Sequence, residues 1–149
     1  MTNNITITKI FGWEMAHMLA NYKGACQNLH GHSYRLQVTV MRIAEPTLND
    51  MVVDFSDLRA LVNKLIVYKY DHAFLYWKNS NDEGEQAIAA AVIKSGLKAV
   101  GMKQRPTAEN MVSEIADSLH KPLEKLGLTL RNIKLWETSS SYAEVSFYD

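Results

Sequence analysis

Apolar and polar residues alternate through residues 5–17, ITITKIFGWEMAH, with Ile5, Ile7, Phe11, Trp13 and Met15 on one side. That period of two predicts a strand with one covered face, and His17 ends it on the apolar parity. Residues 32–43, HSYRLQVTVMRI, alternate again: Tyr34, Leu36, Val38 and Val40 share a face, and His30 and His32 have the same parity. The period then lengthens. In residues 57–70, DLRALVNKLIVYKY, Leu58, Leu61, Val62 and Leu65 recur at helical spacing, with Ser56 as the expected cap. Residues 83–96, EGEQAIAAAVIKSG, predict an alanine-rich helix ended by Gly96. A third helix opens at Pro106 or Thr107 and carries a stripe of Met111, Val112, Ile115, Ala116 and Leu119; Pro122 is expected to kink or end it.

Two strands close the chain, TLRNIKLWE with Ile133, Leu135 and Glu137 on one parity, and YAEVSFYD with Ala143, Val145 and Phe147 on another. Strands, then helices, then strands indicate an α+β fold: a four-stranded antiparallel sheet with helices on one face, rather than a parallel array. No repeat, low-complexity tract or linker divides residues 1–149, so a single domain is expected.

Charge narrows the function classes. Lysine plus arginine and aspartate plus glutamate each total 16, so the net charge is zero and no overall field favours nucleic acid or an anionic membrane. Neither a leader-like start nor an apolar run near the ~20 residues of a bilayer span is evident, which leads to the expectation of a cytoplasmic protein. A lone cysteine, Cys26, excludes an internal disulfide and fits a reducing compartment.

The chemistry concentrates in residues 26–34, CQNLHGHSY. Histidines two apart on a strand point to the same side about 7 Å apart along the chain, and both imidazoles can turn onto one ion. Alone, such a pair reads equally well as hydrogen-bonded or surface histidines. His17 changes the balance, because it is a third imidazole at a strand end on an apolar face, where an uncompensated polar group is costly. Three imidazoles suit zinc with an open fourth position; Cys26 is an alternative fourth ligand that would close the site. Glu137 continues an inward parity and reads as facing a pocket, while Asp71 beside His72 has the form of an oriented proton-transfer pair. His120, beside Lys121, reads as a solvated surface residue. Lys23, Arg35, Lys103 and Arg105 are candidates for anion contacts only through their charge and their nearness to these motifs.

Together WEMAH, CQNLHGHSY, VVDFSDL, YDHAFL, RPTAEN and LWETSSSYAEV resemble, in order and over nearly the whole chain, the 6-pyruvoyltetrahydropterin synthase family. The resemblance implies zinc held by His17, His30 and His32, proton transfer by Cys26 and by His72 with Asp71, and a pterin anchored on Glu137. It further implies 7,8-dihydroneopterin triphosphate as substrate, no nicotinamide or flavin, and subunits joined edge to edge into a barrel. The family expectation is a homo-hexamer built as a dimer of trimers, with pockets between subunits. Three residues separate Cys26 from the HGH motif, as in the members that release acetaldehyde and form a 6-carboxy product on the route to queuosine; pyruvoyl-forming members have a longer gap. Aldolase-like members carry glutamate near the cysteine position, where this chain has Cys26 and Gln27. Met18 and Tyr76 stand where the family often has arginine and asparagine, and residues 79–104 are longer than in compact bacterial versions. The rivals are a pyruvoyl-forming synthase and a noncatalytic zinc module closed by Cys26.

Overall fold

The computed structural model describes residues 4–43 and 48–148. Strands β1 (Thr6–His17) and β2 (His30–Arg42) pair antiparallel along their whole length, from Thr6 opposite Met41 to His17 opposite His30. That register brings His17 and His30 side by side at one end of the sheet. β2 then pairs with β5 (Leu128–Thr138), and β5 with β6 (Ser141–Ser146), both antiparallel. These are the four strands the alternation predicts. Asp149, which the sequence reading includes in the last strand, lies outside the described residues.

The sheet nevertheless has six strands, not four. β3 (Phe74–Trp77) and β4 (Ala99–Met102) add to the outer side of β1 in parallel, giving the order β4-β3-β1-β2-β5-β6. The expectation of a purely antiparallel sheet is corrected by this β3–α3–β4 unit, in which α3 (Glu83–Lys94) is the crossover. Short parallel strands show no alternation, and FLYW reads equally well as the tail of the preceding helix.

The first helical run is anchored by Asp54, not Ser56: the Asp54 carboxylate accepts the Ser56 N–H, and α1 spans Phe55–Val62. A wide π turn over Asn63–Val67 and the short α2 (Tyr68–Tyr70) continue it. The extra residue in the wide turn shifts the helical phase, so Leu58, Val62 and Ile66 are fully buried while Leu61 and Leu65 are only partly covered. α3 ends as expected, with Gly96 at φ 72° and the Leu97 N–H returning to the Val92 carbonyl. α4 (Ala108–Lys125) is capped by Thr107 and carries the expected stripe; Pro122 neither ends it nor stops its packing, since Leu123 is fully buried in the last turn. This stripe and α1 cover one face of the sheet and enclose Leu36, Val38, Ile133 and Leu135. His120 is exposed, as expected, with its ring 5.1 Å from that of Phe147.

A second, smaller apolar cluster fills the corner beside β3. Met18, 7 % exposed, packs with Phe74 of β3 and Ala89 of α3, and Tyr76, Ile88 and Val92 lie against them. Residues 79–104 supply the helix that covers this corner. Methionine, flexible and apolar, suits that buried contact.

Candidate metal and pterin site

His17 ends β1 fully buried, and His30 and His32 open β2. Their ring centroids lie 4.6–5.1 Å apart in edge-on arrangements. Two of the three rings have fixed orientations. His17 Nδ1 lies 2.8 Å from the Pro106 carbonyl, and His30 Nδ1 lies 2.6 Å from the Asn28 carbonyl. A carbonyl only accepts, so both Nδ1 atoms must carry protons, and in the neutral imidazoles both Nε2 atoms present lone pairs. Those two Nε2 atoms are 3.1 Å apart. Two lone pairs at that separation repel unless a proton or a cation lies between them.

Glu137 completes the group. Its Oε1 lies 2.9 Å from His32 Nε2 and 3.3 Å from His17 Nε2. His32 Nε2 has no hydrogen-bond partner among the described residues despite that closeness, so a buried polar atom is left aimed at its neighbours. The four ligand atoms of His17, His30, His32 and Glu137 all lie within 4.8 Å of one another, a group able to hold a metal ion. For comparison, ligand atoms about 2.0–2.1 Å from a tetrahedral zinc stand about 3.3–3.5 Å apart. The bulge in the β5–β6 ladder between Trp136 and Thr138 falls at Glu137, which is how a residue near the strand end is aimed into the cluster.

The electrostatics agree with this geometry. Burial holds the His32 imidazolium below its ordinary value of 6.5, with the Glu137 charge acting the other way. Glu137 is held below the usual carboxylate range, foremost by the contact with His17 Nε2, which becomes a donor to it when that ring is protonated, against the effect of burial. The floor of the site is Tyr34, 2 % exposed, whose ring faces those of His32 at 5.5 Å and His17 at 6.1 Å. Burial pushes its phenol far above the ordinary value, so it remains neutral beside the cluster. Beside Glu137 a cavity of about 430 Å³ opens between Gly31, Ser33, Arg35 and Thr138, with the Arg35 guanidinium 4.8 Å above the Trp136 ring.

The remaining sequence candidates divide. Cys26 sits half-buried in a short turn (Ala25–Gln27) and is not in the ligand group, whose fourth member is Glu137. The turn still connects to the cluster: both the backbone and side-chain N–H groups of Asn28 bond the Ala25 carbonyl, and the Asn28 carbonyl orients His30. Asp71 and His72 are also outside the group. Asp71 Oδ1 accepts from His72 Nδ1 at 2.9 Å and from the Glu14 N–H at 3.1 Å; that backbone bond is the main cause of its depressed pKa. The His72 side chain is 76 % exposed and its backbone is left-handed, φ 63°, an uncommon state for a residue other than glycine. His72 shares a cavity of about 340 Å³ with Glu14, Ser33 and His32 of the metal group, and Ser33 donates to the Glu14 carboxylate at 2.7 Å. Of the basic candidates, Arg35 borders the cavity beside Glu137, Arg105 lies over Trp77, and Lys103 lines a separate cleft with Lys78. The carbonyls of Pro106 and Asn28 are the contributors that sequence reasoning missed, because a backbone oxygen leaves no residue-type signature.

Two outcomes follow from this geometry. Metal-free protein should take up one divalent ion per chain; His17→Ala should weaken uptake at least ~100-fold, as loss of a ligand does, and Cys26→Ala should leave it unchanged by competition with a chromogenic chelator. A Cys26→Ala protein that loses the metal contradicts the ligand set. In the metal-free protein, folded His32 and Glu137 both resist protonation relative to the unfolded chain, so the unfolded state binds more protons as pH falls. The urea midpoint should therefore decline below pH 6.5, through His32, and again below 4.5, through Glu137. A midpoint that is flat from pH 7 to 4 contradicts both shifts.

Comparison with known proteins identifies the family. The 6-pyruvoyl tetrahydropterin synthase family model matches residues 6–147. The 6-carboxy-5,6,7,8-tetrahydropterin synthase of Haemophilus influenzae is 39 % identical over 140 residues, covering 93 % of this chain and 96 % of its own. That of Rickettsia bellii is 28 % identical over 95 % of this chain and 99 % of its own. Among solved structures, an uncharacterised Wolinella succinogenes protein superposes with a TM-score of 0.75 at 19 % identity, covering 97 % of this chain and 98 % of the other. The Plasmodium falciparum 6-pyruvoyl tetrahydropterin synthase superposes with a TM-score of 0.69 at 19 % identity and the same coverage. With a match from residue 6 to residue 147 and three histidines gathered at one end of the sheet, the chain belongs to the 6-pyruvoyl tetrahydropterin synthase family.

Proposed function

We propose that this protein is a zinc-dependent 6-carboxy-5,6,7,8-tetrahydropterin synthase. It converts 7,8-dihydroneopterin triphosphate and one water into the 6-carboxy pterin, acetaldehyde and triphosphate, in the cytoplasm, on the route to queuosine. The observation that carries the reading is the convergence of His17, His30 and His32 beside a cavity bordered by Glu137. The relatives named for this activity, matched over nearly the whole length, support the carboxy-forming assignment over the pyruvoyl-forming one. The set of imidazoles and one carboxylate suits zinc.

Zinc bound there would acidify C–H bonds beside the substrate hydroxyls and stabilise negative charge on oxygen. Glu137 has two oxygens, of which only Oε1 makes the close contacts to His17 and His32. With the metal held by the three imidazoles alone, the Glu137 carboxylate at the cavity wall would be free to accept a pair of N–H groups from a pterin edge, which fixes the ring with the side chain toward the metal. Cys26, on the turn that leads into His30, would take a proton from the side chain. His72, oriented through Nδ1 by the ionised Asp71, keeps Nε2 for a second proton transfer.

The His72 side chain is 76 % exposed, which leaves room for a neighbouring copy to complete the site. No strand of the described residues pairs with the outer side of β1 from Thr6 to Trp13, and β6 is a free edge on the other side of the sheet. Joining these edges between copies removes both, and it supports trimers closed into a barrel and stacked into hexamers, with residues 1–149 acting as one pterin-binding domain.

The test is mass spectrometry of the products formed from 7,8-dihydroneopterin triphosphate by the zinc-loaded protein. The 6-carboxy mass with stoichiometric acetaldehyde is expected, and Cys26→Ala and His72→Gln should each lower kcat ~100-fold or more while keeping zinc. A pyruvoyl mass without acetaldehyde assigns the alternative synthase. Unchanged substrate with zinc bound contradicts the proposal.

A further inference from the structure

The β3–α3–β4 unit reaches the Asp71–His72 pair through one side chain. Lys98 lies between α3 and β4, and its carbonyl accepts the Phe74 N–H at 3.0 Å. Its ammonium donates to the Tyr68 and Asp71 carbonyls, both at 2.6 Å.

Those two carbonyls are orphans of the turn that presents His72. In a continuing helix the Tyr68 carbonyl would accept from the N–H four residues later, that of His72. Here the His72 N–H goes to the Glu14 carbonyl at 2.6 Å, and the backbone turns left-handed at His72. A left-handed residue other than glycine costs on the order of 1–3 kcal/mol and persists only where its surroundings hold it. The surroundings are few: the Glu14 main chain on one side, the Asp71 carboxylate on the ring, and Lys98 on the helix end. Lys98 also adds positive charge beside Asp71, one of the smaller causes of its depressed pKa.

We propose that Lys98 is a positioning residue for the Asp71–His72 pair, through which the β3–α3–β4 unit sets the His72 geometry; this rests on the proton-transfer role given to His72. Lys98 acts through the backbone and not on the substrate. It takes up the carbonyls released when the chain leaves the helix and so fixes the angle at which the imidazole leaves the surface. A misplacement of about 1 Å in a proton-transfer group is enough to cost a large factor in rate.

The test compares Lys98→Met, Lys98→Arg, His72→Gln and the Lys98→Met/His72→Gln double variant in the zinc-loaded protein. Three readings are taken: kcat and KM for triphosphate release, the melting temperature, and the amide 1H–15N positions of His72 and Ala73. Lys98→Met should lower kcat ~10-fold with KM and melting temperature nearly unchanged, and should displace the His72 and Ala73 amides. Lys98→Arg, which retains donors and charge, should recover most of the rate and the amide positions. In the His72→Gln background Lys98→Met should cost nothing further, since residues acting as one unit are not additive. Wild-type kcat in Lys98→Met beside a disabled His72→Gln overturns the proposal and leaves the role of His72 standing. The same ~10-fold loss in both backgrounds overturns it as well, since it marks Lys98 as purely structural. Full turnover in His72→Gln instead sinks the role of His72 and with it any need for a positioning residue.

Discussion

The hydrogen bond from His17 Nδ1 to the Pro106 carbonyl joins residues 89 positions apart in the chain and fixes what the site can bind. To form it, the end of β1 and the entrance to α4 must meet, which requires the whole stripe of α4 to be seated on the sheet. Once formed, it leaves Nε2 facing inward in the neutral ring, and the Asn28 carbonyl does the same for His30. The ligand set is then a consequence of main-chain placement. Side chains alone could rotate or take the other tautomer; the buried Pro106 carbonyl, which needs a donor, prevents both at His17, and the more exposed Asn28 carbonyl favours the same state at His30.

The β3–α3–β4 unit shapes the surroundings of the site. Residues 79–104 bring α3 over the corner occupied by Met18, Phe74 and Tyr76 and make it an apolar contact. The same unit is tied down by polar groups. The buried Glu85 carboxylate accepts the Trp77 N–H at 2.9 Å, and Asp82 caps α3 through the Glu85 N–H. Through β4 the unit leads into Arg105 and Pro106, and through Lys98 it touches the helix end before His72. It therefore borders the metal group and the Asp71–His72 pair at once.

Much of this is readable in the sequence, and the failures have physical reasons. Alternation placed β1, β2, β5 and β6 because each is half-covered, and the parity of His17, His30, His32 and Glu137 correctly put them on one face. β3 and β4 escaped notice because four-residue parallel strands carry no period, and Pro122 misled because a last-turn proline can be tolerated when the next residue, Leu123, is fully buried. The membership of Glu137 in the metal group was legible only as an inward carboxylate, since its exact aim depends on a bulge. That His72 sits on a left-handed turn was not legible, since a histidine does not advertise that backbone state.

The most direct test of the account is long-range 1H–15N NMR of the histidine side chains in the zinc-loaded protein. The account predicts that His17 and His30 each carry a proton on Nδ1 and show Nε2 at a metal-bound position, with His32 joining them as a third shifted ring. Protons on Nε2 of His17 and His30, or shifts unaffected by zinc, would contradict it.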